Sequence, residues 1–291
     1  MKKPRVIFFG SSKYVTPIVE VLKNNFDLSF VVTTEKFPTD PIPSYCIKSK
    51  VYHYVVIDFG NKNFINALKE ANADMAILAS FGAIIPKEIL NIFPKGIINI
   101  HPSLLPKYRG PTPVQAAILN GDKTTGITII KLDEKIDHGP ILFQKKELIK
   151  ENDTADSLYE RLFKLAAGLI VRTIKLYLKE DIKLQKQNHK QSTFTKMLTR
   201  QDAYFDINNP PRPEMLNRMI RAYHLWPGVW TQIRINDKAR LPDRQRLRIK
   251  FLPEKKIQVE GGKPMSYKDF LNGYPNLATV MLNLFQHLER N

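Results

Sequence analysis

Asn99-Ile100-His101-Pro102-Ser103-Leu104-Leu105-Pro106-Lys107-Tyr108-Arg109-Gly110 follows an apolar, strand-like run from Gly96 to Ile98. Its polar groups therefore emerge at the carboxyl end of a strand, where open α/β sheets form their ligand crevices. The stretch holds an amide, an imidazole, a hydroxyl, two prolines and a glycine, a density that suits a rigid catalytic loop better than a surface turn. Upstream, Arg5–Phe9, Leu28–Thr33, Val51–Ile57 and Met75–Ser80 read as strands, with helical spacing at Thr16–Lys23, Asn63–Asn72 and Lys87–Phe93. Downstream come a helix at Val114–Leu119, strands at Gly126–Leu132 and Ile141–Leu148, and a long helix at Ala155–Leu178. This alternation predicts an α/β fold: a Rossmann-like, doubly wound, mostly parallel sheet.

Past the long helix the pattern changes. Lys183–Gln191 is polar and poorly periodic, as expected of a linker that crosses to a second unit. Beyond it, Glu214–Ala222 is helical, and Val229–Ile235, Arg246–Phe251 and Lys256–Val259 read as short strands separated by turn residues. The expected organisation is a first domain over 1–182, a linker over 183–200 and a small β-rich domain over 201–291. The last residues form a further apolar, helix-like patch. No internal repeat is present.

At 291 residues, 43% of them hydrophobic, the chain can build a sizeable core. The apolar run Val6 to Phe9 stops at Gly10, too short for a signal-peptide core, and no stretch has the length of a membrane span. Cys46 is the sole cysteine, which excludes an intramolecular disulfide. A cytoplasmic protein, probing no membrane, is the simplest expectation. The net charge of +17 is unevenly spread: residues 1–180 carry 25 Lys/Arg against 18 Asp/Glu, and 181–291 carry 20 against 10. Such an excess draws polyanions through counterion release.

Several chemistries are excluded by what is missing. Gly10-Ser11-Ser12-Lys13 keeps only the first glycine of a dinucleotide fingerprint, so a turn into a helix is the better reading. Ser103 lacks the Gly-x-Ser-x-Gly frame of a nucleophile elbow. His53, His101, His138 and His189 show no metal-ligand spacing, and no metal is expected. What remains is a set without a protein nucleophile. His101, Asn99 two residues before it and Asp137 in a turn that could return to the same crevice supply an imidazole, an oxyanion donor and an orienting carboxylate. Ala79-Ser80-Phe81-Gly82-Ala83-Ile84-Ile85-Pro86 is either a buried strand running into a turn or a slot for a flat heteroaromatic ring. Arg221 to Trp230 holds both tryptophans and reads as a packing corner.

Together these residues resemble the methionyl-tRNA formyltransferases, over residues ~4 to 235 with gaps, plus a weaker stretch at 264–274. Asn99 to Pro106 is similar to that family's folate and catalytic loop, and Ile136-Asp137-His138-Gly139 to its Leu-Asp-Thr-Gly. Both motifs are shared with glycinamide ribonucleotide and amino-sugar formyltransferases. Thr195 to Asp206 resembles the linker-exit motif of the tRNA enzymes, and Ile220 to Pro227 their Ile-Arg-Ala-Phe-x-x-Trp-Pro. The resemblance implies formyl transfer from 10-formyltetrahydrofolate to the α-amine of methionyl initiator tRNA by a monomer. It implies Asn99, His101 and Asp137 as catalytic, with Ser103, Leu104, Leu105, Pro106, Phe81, Gly82 and Ile84 lining the folate. Transfer to another amine, and a non-catalytic tRNA-binding role, remain open at this point. The chain departs from the family in three places. The loop Thr34 to Lys50 is short and lacks a dense Arg/Lys tip, His138 replaces a small hydroxyl residue, and the second domain is abbreviated after Trp230, an OB-like but shortened unit.

Overall fold

A computed structural model describes residues 3–34, 41–234, 246–277, 281, 284 and 285. The chain divides into two compact units: Met1–Pro113, Thr124–Leu148 and Tyr159–Lys196 form the first, and Val114–Lys123, Ile149–Leu158 and Met197–Asn291 the second. The polar segment after the long helix thus clusters with the first unit as far as Lys196.

Seven strands build the first unit: β1 (Arg5–Phe9), β2 (Asp27–Thr34), β3 (Tyr52–Val56), β4 (Met75–Ala79), β5 (Ile97–His101), β6 (Thr124–Lys131) and β7 (Ile141–Leu148). They lie in the order β3-β2-β1-β4-β5-β6-β7. The five from β3 to β5 are parallel, and β6 runs antiparallel to both its neighbours. Every residue of β4 and β5 is buried, as strands covered on both faces must be, which explains their unbroken apolar runs. Helices α1 (Thr16–Asn25), α2 (Ile42–Ser49), α3 (Lys62–Glu70) and α4 (Lys87–Leu90) belong to this unit, as does α6 (Ala155–Leu178) from Tyr159 on, whereas α5 (Pro113–Leu119) falls in the second unit from Val114. Helix α3 shows why its stretch folds so. The Asn61 side chain caps the free amides of Asn63 and Phe64, and Phe64, Ile65 and Leu68 turn one face to the core.

The segment Thr34 to Lys50, which reads as a loop, contains α2. Only Ile42 and Cys46, one turn apart, anchor it in the core, too brief a pattern to betray a helix. Residues 35–40 lie outside the described residues. In the second unit, α7 (Pro213–Ala222) precedes β8 (Val229–Arg234), β9 (Arg246–Leu252), β10 (Lys256–Val259), β11 (Pro264–Ser266) and α8 (Tyr267–Gly273). These strands form one antiparallel sheet in the order β11-β10-β9-β8, which among the described residues is open rather than a closed barrel. Its core holds Ile249, Phe251, Ile257 and Phe270.

Strand order reverses between β1 and β4, and the chain is tightly drawn together there. Gly10 donates to the Val32 carbonyl and Ser11 to that of Ser80. A Cβ on Gly10 would sit 2.6 Å from the Ala79 carbonyl oxygen, so only glycine allows the strand ends to approach so closely. The candidate site lies one strand further, at the end of β5.

Candidate active site

Asn99 and His101 occupy alternate positions of β5, so the pleat turns both side chains to one face. Both are buried, at 6% and 4% exposure. Asp137 comes from the turn between β6 and β7 and unites them. Its Oδ1 accepts from Asn99 Nδ2 at 3.0 Å, and its Oδ2 accepts from the Gly110 amide at 2.8 Å and faces His101 Nδ1 at 3.4 Å. The other ring nitrogen, His101 Nε2, donates to the Tyr108 carbonyl at 2.8 Å. A carbonyl can only accept, so Nε2 carries a proton, and Nδ1 is the ring atom on the Asp137 side.

The loop after β5 is braced from within. The Ser103 hydroxyl donates to the Lys107 carbonyl at 2.6 Å, and its own carbonyl accepts from Thr128 Oγ1 at 2.6 Å. Leu105 packs with Ile130 and Ile141. Tyr108 (φ +62°) and Gly110 (φ +100°) take left-handed backbone, and the peptide before Pro106 is cis. Asp137 itself sits at φ +46°. Two residues on, a Cβ at Gly139 would collide with the Lys131 carbonyl oxygen. The turn therefore seats directly on β6, which fixes where the carboxylate points.

The structure thus brings Asn99, His101 and Asp137 together, and the residues expected to line the folate differ in exposure. Phe81 is a core side chain, edge-on to Phe9 with ring centroids 5.4 Å apart, and Ser103 is wholly buried. Gly82 has φ +73° and Ile84 is 71% exposed. A ligand reaching this stretch would meet backbone and the Ile84 side chain, not the Phe81 ring. Leu104 and Pro106 are half-buried.

Sequence reasoning missed a second layer. Arg109 is buried, and its Nη2 donates to Gln187 Oε1 at 2.6 Å and to His189 Nδ1 at 2.9 Å. Although His189 is exposed, desolvation first, and then His138 and Arg109 nearby, hold its imidazole below its ordinary pKa. His138 stacks on His189 with ring centroids 3.9 Å apart and donates to Asp133 Oδ2 at 2.6 Å. The aperiodic residues Gln187 and His189 carried no signal. Arg109, inside the quoted loop, could have been flagged as a cation next to Gly110.

A cavity of the second unit lies elsewhere. It measures about 870 Å³ and is lined by Arg218, Arg221, Lys150 and Glu151 among others.

A doubly wound sheet that presents an amide, an imidazole and a carboxylate at one strand end, with no nucleophile among them, defines an acyl-transferring α/β enzyme. Residues 10–174 match the family described as Formyl transferase, and the chain belongs to that family. It is 37% identical over 237 residues to the methionyl-tRNA formyltransferase of Buchnera aphidicola subsp. Schizaphis graminum, covering 78% of this chain and 74% of that one. It is 35% identical over 240 residues to the enzyme of the same name from Roseiflexus sp., with 79% and 73% covered. The fold is that of a sugar N-formyltransferase from Shewanella sp., with a TM-score of 0.67 at 22% identity, covering 86% of this chain and 98% of that one. A phosphoribosylglycinamide formyltransferase from Streptococcus pneumoniae shares it at a TM-score of 0.53 and 22% identity, covering 60% and 99%.

Proposed function

We propose that the protein transfers the formyl group of 10-formyltetrahydrofolate to the α-amine of methionyl initiator tRNA. The observation that carries the chemistry is the Asp137 carboxylate, which ties Asn99 and His101 into one constellation. The tRNA acceptor is supported by the names of relatives matched over about three-quarters of their length and by the excess of basic residues after 180. The first unit would carry the reaction, and the second would hold the tRNA through its phosphates.

Asn99 Nδ2 has two hydrogens, one held by Asp137 Oδ1. The second is available to the formyl oxygen as negative charge develops there. One such donor is worth about 2.7–4 kcal/mol of barrier. Attack of the amine forms the new C–N bond and leaves a proton to remove. With Nε2 tied to the Tyr108 carbonyl, His101 Nδ1 is the ring atom able to take it, and Asp137 Oδ2 faces the imidazolium that results, accepting the proton directly or through water. The C–N bond to the donor nitrogen then breaks, and that nitrogen leaves as an amine once protonated. Gly82 to Ile85 would offer backbone groups and the Ile84 side chain to the flat donor ring. The proposed enzyme is a monomer acting in the cytoplasm.

The test is an acceptor comparison. Purified protein with 10-formyltetrahydrofolate is given methionyl initiator tRNA, glycinamide ribonucleotide or a nucleotide-linked amino sugar. Formylation of the tRNA alone is expected, and preferential formylation of another amine would overturn the reading.

A further inference from the structure

The first unit contains a buried amide with no place in the chemistry above. Gln187 is 6% exposed and lies in the polar stretch that follows α6. Its Nε2 donates twice, to the Asp137 carbonyl at 2.9 Å and to the Gly139 carbonyl at 2.8 Å. Its Oε1 accepts from Arg109 Nη2 at 2.6 Å. One carboxamide thus uses both of its hydrogens on the turn that bears Asp137, and its oxygen on the residue beside Gly110, whose amide grips the Asp137 carboxylate. The segment that carries it is itself pinned on both sides. Gln185 and Ile141 exchange backbone hydrogen bonds at 2.9 and 2.8 Å, and Arg109 exchanges them with Thr193 and Thr195 at 2.8 and 2.7 Å.

We infer that Gln187 is a positioning residue for the reaction. It locks the left-handed turn at Asp137 to the loop after β5, and so sets the carboxylate against Asn99 and His101. The inference rests on the formyl-transfer reading and adds a residue outside the reacting set. Only a carboxamide fits the requirement. A glutamate would keep the contact with Arg109 and even add opposite charge, yet it would set an oxygen lone pair against two carbonyl oxygens that need a donor. A methionine would keep the volume and lose all three bonds. A purely space-filling or charge-pairing role would tolerate one of these two changes. A positioning role tolerates neither.

The experiment compares wild type, Gln187→Glu and Gln187→Met in the full-length protein. Displacing a catalytic group by about an ångström typically costs roughly 100-fold, so both variants are expected to lose roughly 10- to 100-fold in kcat with donor KM changed by no more than about twofold. Amide hydrogen exchange over 133–139 is expected to speed up in both, while the rest of the sheet keeps its protection. Retention of kcat within about threefold of wild type by either folded variant would overturn the inference, as would unchanged exchange over 133–139. Should Gln187→Glu fail to fold, Gln187→Met, read below its melting temperature, decides on the same criteria. A wild type that formylates no acceptor would refute the functional reading, and the exchange data would still settle whether Gln187 locks the turn.

Discussion

Replacing Asp137 by asparagine changes one oxygen to an amide nitrogen, and the structure shows why the effect should fall on turnover. The carboxylate has 12% exposure and three groups around it, the Gly110 amide at 2.8 Å, Asn99 Nδ2 at 3.0 Å and His101 Nδ1 at 3.4 Å. Asparagine offers one acceptor oxygen where aspartate offers two. If that oxygen stays with the Gly110 amide, the new NH₂ meets the NH₂ of Asn99, which must flip and turn its donor away from the formyl oxygen. A lost oxyanion donor costs about 2.7–4 kcal/mol, or roughly 10²–10³ in rate. Loss of the carboxylate facing the His101 imidazolium removes part of a proton-transfer contribution that typically spans about 10²–10⁴. The two losses share one network and do not add fully, so kcat should fall roughly 10³- to 10⁴-fold. The assay is single-turnover formyl transfer at saturating donor and acceptor, with donor affinity and melting temperature measured alongside. Donor affinity should stay within about threefold, because the change is confined to groups that act on the transferring carbon. A folded variant that kept more than about a tenth of wild-type kcat would refute the reasoning, as would a loss residing in KM.

Two further outcomes follow from the second layer of the site. Gly139→Ala drives a Cβ into the Lys131 carbonyl oxygen; the turn must lift from β6, at a cost of about 3 kcal/mol in unfolding free energy, measurable by urea denaturation. His189 is exposed, and desolvation first, then the neighbouring His138 and Arg109, hold its pKa below the ordinary 6.5, so it binds fewer protons folded than unfolded in the window between its lowered value and 6.5. Stability therefore rises with pH through that window and is lost as pH falls, when the ring must charge and give up its bond from Arg109. Melting curves of wild type and His189→Gln between about pH 7.5 and 5 should draw together on acidification; a constant gap would contradict this.

Much of the first unit could be read from sequence because its parallel strands are buried on both faces, and runs such as Met75–Ala79 admit few alternatives. Asn99 and His101 were legible for the same reason, since a spacing of two on a strand dictates a common face. Asp137 was reached through the residues around it, and the structure adds the Gly110 amide that holds it. Helix α2 was hidden because two buried side chains carry it. Strand β11 and helix α8 are short, and neither has enough turns to display a period. Gln187 and His189 escaped for a different reason. Their worth lies in hydrogen bonds to atoms roughly 50 to 80 positions away, and such bonds leave no trace in local hydropathy. The expected lining role of Phe81 and Ser103 meets side chains that point inward, because a strand end beside a glycine gives the same hydropathy whether it faces a ligand or the core.

The backbone pairing of 185–195 with the reaction loops places the natural seam of this polypeptide later than its composition suggests. Severing the chain after α6 would strip the first unit of that pairing: Arg109 would lose its bonds to Gln187 and His189, and the Asp137 turn its two-pronged clasp. Severing it after Lys196 would leave that clasp whole. A free-standing first unit, whether made by a protease or by recombination, would have to carry this tail with it.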